Sequence, residues 1–120
     1  MAPTLSKEER NLNYKTVESI IENENFILKE KYELPVVIQK ENEIIISDVF
    51  PIEFRYDTEW YNYELYIDSL TLKEQYQKQY NVYLAHNTNY QRFKYDETLE
   101  KLTIINEENN VTYTIFLKRV

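Results

Sequence analysis

No glycine occurs anywhere in the 120 residues of this chain. Average usage of about 7% would supply roughly eight. Glycine is the residue that enters the left-handed backbone region without steric cost. Turns that need positive φ must therefore fall to Asn or Asp. The same absence excludes any glycine-rich loop that could cradle a phosphate, and with it the P-loop and dinucleotide fingerprints. Tyrosine is over-supplied, with 12 copies, while proline has 3. A bias toward Tyr, Asn, Ile, Lys and Phe is what an AT-rich genome produces. An aromatic recognition surface is the competing explanation.

The length suits one domain with one core. At 42% apolar and 29% charged, the chain can bury enough surface to fold. Cysteine is absent, which excludes disulfides, thiolate metal sites and cysteine nucleophiles. No apolar run reaches the roughly 18 residues of a membrane span, and the N-terminus carries no secretory core. The expectation is a soluble cytoplasmic protein with no membrane partner. Net charge is −7, and almost all of the acidic excess falls in residues 1–60. Such a chain repels nucleic acid as a whole. Its acidity serves solubility, or it presents an acidic face to a basic surface.

Two stretches read as helix. Ser6 and Glu9 have capping-box spacing, and Tyr14, Val17, Ile20 and Ile21 line one face, so a first helix is expected over Ser6–Glu24. Asn13 is a competing start. Thr71 and Glu74 form a second capping box. Leu72, Tyr76, Tyr80, Tyr83 and Leu84 then share one face, which predicts a central amphipathic helix over Thr71–Asn87 lying on a sheet. Almost everything else reads as strand. Phe26–Tyr32 is the first, Pro35 breaks the chain, and Val36–Ile38 pairs with Ile44–Ile46 as a hairpin. Three consecutive isoleucines are expected to be buried on both faces. Ile52, Phe54 and Tyr56 alternate with Glu53, Arg55 and Asp57 on a strand opened by Pro51. A turn at Asp57–Glu59 leads to a partner strand carrying Tyr61, Tyr63, Leu65 and Ile67. Tyr90–Tyr95, Leu99–Asn106 and Val111–Arg119 read as a meander with turns at Asp96–Thr98 and Glu107–Asn110. The fold class expected is α+β. Residues 1–120 form a single domain with 1–5 frayed, in which an N-terminal and a central helix pack on one face of a mostly antiparallel sheet of five to seven strands.

Catalytic constellations are missing. His86 is the only histidine, and a surface or capping role suits it. No nucleophile-elbow motif accompanies any serine, zinc lacks His and Cys ligands, and no EF-hand loop is present. We therefore expect no enzyme activity, no catalytic residue, no metal and no cofactor. Tyr90–Tyr95 interleaves Arg92 and Lys94 with aromatics, as single-strand binders do. Its alternation is equally that of a half-buried strand, and the overall acidity argues against direct nucleic acid binding.

The surface most suggestive of recognition is Trp60 to Tyr66. Trp60, Tyr61, Tyr63 and Tyr66 lie beside Asp57, Glu59, Glu64 and Asp68. Trp and Tyr anchor interfaces because they give large contact area for few rotatable bonds. One face must be core, and burial of Trp60 under the central helix competes with exposure. Glu18 and Glu22 add an acidic ridge on the first helix. The candidate partner-binding residues are thus Glu18, Glu22, Asp57, Glu59, Trp60, Glu64 and Tyr66. The function expected is that of a small acidic inhibitor occupying a basic surface of another protein. A nucleic-acid-handling enzyme is the best candidate partner, and a phage or mobile-element anti-defence protein is one context. Alternatives are an immunity protein neutralising a basic toxin, and a structural or assembly subunit, such as a virion component, that forms homo-oligomers.

Overall fold

The computed structural model describes residues 5–67 and 90–119. Helix α1 spans Lys7–Asn23, and six strands follow: β1 (Lys31–Lys40), β2 (Glu43–Asp57), β3 (Asn62–Ile67), β4 (Gln91–Asp96), β5 (Lys101–Asn106) and β6 (Val111–Phe116). They form one antiparallel sheet in the order β3-β2-β1-β6-β5-β4.

Helix α1 begins where the capping box places it. Ser6 accepts the backbone N–H of Glu9, and Glu9 accepts that of Ser6, both at 3.1 Å. Asn13 is therefore not a start; it sits buried mid-helix. Val17 and Ile20 are fully buried beside the half-buried Tyr14 and Ile21.

The ladders fix which side chains share the inner face. Leu34 lies opposite Phe50, Ile38 opposite Ile46 and Val36 opposite Ile115; Phe54 faces Leu65, Leu102 faces Ile115, and Phe93 faces Ile104. These residues and α1 make one continuous core. Each fully buried Ile, Leu or Phe contributes about 1.5–3 kcal/mol.

The expected lid of two helices on one face is corrected. Among the described residues α1 is the single helix, and the sheet is a half-barrel rather than a flat platform. Helix α1 bridges its mouth, touching β4 at one edge and β3 at the other. Asn13 donates to the carbonyl of Gln91 at 2.8 Å and accepts the N–H of Phe93 at 3.1 Å. A side-chain amide thereby occupies backbone groups of an edge strand. Tyr14, the next residue, packs on Tyr63 of β3. Curvature is what changes the requirement: it brings both edges of the sheet within reach of one helix. Thr71–Asn87, where the central helix was expected, and His86 lie outside the described residues.

Local corrections have local causes. Phe26–Tyr32 is not a strand up to Lys31, because Asn25 and Lys29 take φ of 58° and 72°. Pro35 and Pro51 do not break or open strands but lie within β1 and β2. Pro35 stands one residue beyond the end of the ladder to β6. There the strand is paired on one side only, which is where proline is tolerated. Of the three isoleucines, Ile46 is buried while Ile44 and Ile45 are exposed. A register shift after Ile38 pairs Gln39 with Ile44 and leaves Ile45 unmatched, as in a β-bulge.

The turns show how a chain without glycine reverses. In the β1–β2 loop both Glu41 and Asn42 have positive φ, as a type I′ turn demands. The other three hairpins share one template. Asp57, Asp96 or Asn106 ends a strand, a four-residue loop follows, and its last residue, Tyr61, Glu100 or Asn110, is left-handed. In each, the Asx side chain accepts backbone N–H groups of the loop. The expectation that only Asn or Asp would take positive φ is thus corrected by Lys29, Glu41, Tyr61 and Glu100. The left-handed region costs an ordinary residue roughly 1–2 kcal/mol, and a closed ladder on both sides offsets it.

Candidate functional site

The β2–β3 tip is pinned by Asp57. Its Oδ1 accepts the N–H of Glu59 at 2.9 Å and of Trp60 at 3.2 Å. On this held loop Trp60 and Tyr61 are 65% and 66% exposed. Trp60 is therefore not core, and Glu59 beside it is exposed as well. Tyr61, expected on the apolar strand face, belongs instead to the loop.

Behind the tip stands a tyrosine cluster from three elements. Tyr56 and Tyr63 are cross-strand partners with ring centroids 4.8 Å apart. Tyr14 of α1 lies 5.0 Å from Tyr63, and its hydroxyl donates to that of Tyr56 at 3.3 Å. That hydrogen bond, with burial, raises the Tyr14 phenol above its ordinary value; burial and then the Glu18 carboxylate raise that of Tyr63. Both rings stay neutral at physiological pH. Glu18 is exposed one helical turn beyond Tyr14, and Glu22 is exposed a turn further on.

The seven residues expected to form the surface thus divide. Glu18 and Asp57 adjoin the tyrosine cluster, Asp57 is committed to the turn that carries Glu59 and Trp60, and Glu22 extends the ridge. Glu64 and Tyr66 lie on the opposite face of β3 and are engaged there. The Tyr66 hydroxyl donates to Glu64 at 2.8 Å, and the Arg55 guanidinium lies 4.5 Å from the Tyr66 ring centre while pairing with Glu53. Tyr14, Tyr61 and Tyr63 complete the patch; Tyr61 and Tyr63 belong to the aromatic stretch noted in the sequence but not to the seven, and Tyr14 reads there only as part of the apolar helix face. The spacing of Asp57 and Tyr61, repeated at Asp96 and Glu100, is the signal that could have found Tyr61.

At the other edge the charges are largely satisfied. Arg92, a candidate phosphate ligand in the sequence, is bound by Glu9 and Glu107. The Tyr95 hydroxyl donates to Glu24 at 2.7 Å, and burial together with that bond pushes its pKa up to about 12. Arg119 donates to the Glu24 carbonyl and stacks on Phe26 and Tyr32.

Among the described residues, two open depressions of about 390 Å³ lie on the sheet. One is lined by Gln39, Glu41, Asn42, Ile105, Asn110 and Thr112, the other by Lys31, Tyr32, Glu33, Pro35, Val49 and Arg119. Neither adjoins the aromatic tip residues. Among the described residues no group of three or more His, Cys, Asp or Glu could hold a metal ion, and no helix is long and apolar enough to cross a membrane. Searches of protein-family models, curated proteins and solved structures find no match to this chain.

Proposed function

We propose that this chain is a protein-binding inhibitor that lays an acidic, aromatic-tipped surface on a basic, nucleic-acid-binding surface of a partner protein. The observation that carries this reading is the exposure of Trp60 and Tyr61 on a hydrogen-bonded hairpin tip with Glu59 between Asp57 and Trp60. Large exposed aromatics on a held loop suit an interface anchor, because little loop entropy is lost on docking and an aromatic ring has few rotatable bonds. Glu18 and Glu22 extend the charge along α1, where carboxylates steer a basic partner. The role is non-enzymatic, without cofactor, metal or direct nucleic acid contact, and an anti-defence context suits it.

The test is capture of a partner from host or donor lysate with and without nuclease, by the native chain and by Glu18→Lys/Glu59→Lys. A single basic protein retained by the native chain through nuclease, and lost by the variant, is the expected result. Equal retention by both would overturn the reading. Both substitutions are at exposed positions, so thermal stability should change by less than about 0.5 kcal/mol.

The assembly-subunit reading has one observation in its favour. The outer sheet face carries Thr103, Thr112 and Thr114 beside the exposed Val49 and Phe116. It predicts a homo-oligomer, which the solution mass by size exclusion would reveal.

A further inference from the structure

Resting on the binding reading above, we infer that the residue the partner seats on the β2–β3 tip is an arginine, stacked on Trp60 with its charge met by Glu59. The molecule already uses this arrangement internally. Arg55 lies 4.5 Å from the Tyr66 ring centre and pairs with Glu53; Arg119 lies 4.5 Å from the Phe26 centre and 5.1 Å from that of Tyr32 while donating to the Glu24 carbonyl. In both, an aromatic face and an oxygen acceptor divide one guanidinium between them. That division suits arginine, whose planar, weakly hydrated cation stacks while its edge donates.

The tip offers both components. Trp60, the best of the aromatic faces for a cation, is two-thirds exposed, and the adjacent Glu59 is exposed too. The chain's own arginines are all engaged elsewhere. Arg10 donates to the Leu5 carbonyl at 2.9 Å, Arg55 holds Glu53, Arg92 bridges Glu9 and Glu107, and Arg119 is held at Glu24. The guanidinium must come from the partner. A basic nucleic-acid-binding surface is rich in arginine that would otherwise contact phosphate or stack on bases.

Trp60 is the chain's one tryptophan, so its fluorescence reports this site alone. The experiment titrates the protein with hexa-arginine and with hexa-lysine at low salt, reading Trp60 emission and, in parallel, calorimetric affinity. Hexa-arginine should shift the Trp60 emission and bind about two- to five-fold more tightly than hexa-lysine. Trp60→Leu should abolish that preference in calorimetry while retaining the charge-driven part, whereas Glu59→Gln should weaken both peptides. If the two peptides bind alike and Trp60 emission is unmoved, the arginine site is overturned while acidic recognition stands. If neither peptide binds, both readings fall. Unchanged thermal unfolding of Trp60→Leu would exclude misfolding as the cause.

Discussion

At the scale of single residues, Asn13 carries more than its helix position suggests. It is buried and exchanges two hydrogen bonds with the backbone of β4. Asn13→Ala strands the Gln91 carbonyl and the Phe93 N–H, and should cost about 2–3 kcal/mol. Urea unfolding with an unchanged slope would show this as a lower midpoint. Tyr95 gives a pH signature. Its folded pKa of about 12 lies above the ordinary 10. For a phenol raised in this way, the protonated form is the one the fold favours. The stabilisation is complete below pH 10 and disappears as pH climbs from 10 through 12. Tyr14 and Tyr63 shift in the same direction. Tyrosinate absorbance should therefore lag in native protein and be accompanied by alkaline unfolding, and Tyr95→Phe should reduce the pH dependence in that window.

At the scale of elements, the chain repeats one solution to the lack of glycine. An Asx residue closes the strand and the fourth loop residue turns left-handed, three times over. Glu100 is the clearest place to relieve the cost. Glu100→Gly should stabilise by up to about 1 kcal/mol, since removing Cβ lifts a penalty that the added unfolded-state entropy only partly cancels. Asp96→Ala removes the side-chain acceptor for the Leu99 N–H and should cost about 1 kcal/mol. Thermal unfolding of the two variants, moving in opposite directions, would check the template. Replacing Tyr61 instead would confuse turn and recognition, because the exposed ring and the left-handed backbone belong to the same residue.

At the scale of the whole molecule, α1 fastens opposite ends of the sheet. Asn13 reaches β4 and Tyr14 reaches β3, strands that stand last and first in the sheet order. Ile20, on the same helix, is fully buried in the core. Ile20→Ala should cost about 2–4 kcal/mol. It should also speed amide exchange in β3 and β4 together, while β1 and β6 in the centre remain slowest. Faster exchange at only one edge would contradict the bridging role. Much of this was legible beforehand. Ser6, Glu9, Val17 and Ile20 dictate α1 through capping and spacing, and the alternation of Ile52, Phe54 and Tyr56 or of Val111, Tyr113 and Ile115 dictates strands, because those signals are local. The sequence alone likewise excluded disulfides and glycine-based phosphate loops, since the residues they need are absent. What only the tertiary structure decided depends on contacts between distant residues. Helical spacing at Asn13 reports neither that it caps a strand 78 residues away nor that the sheet curls enough for one helix to span its mouth. A β1 that runs on through Pro35 was hidden because proline's cost depends on which neighbouring ladder has already ended. Trp60 could be core or surface on its own pattern; the Asp57 turn carries it past the end of the ladder, beyond the reach of the core, and leaves it in water.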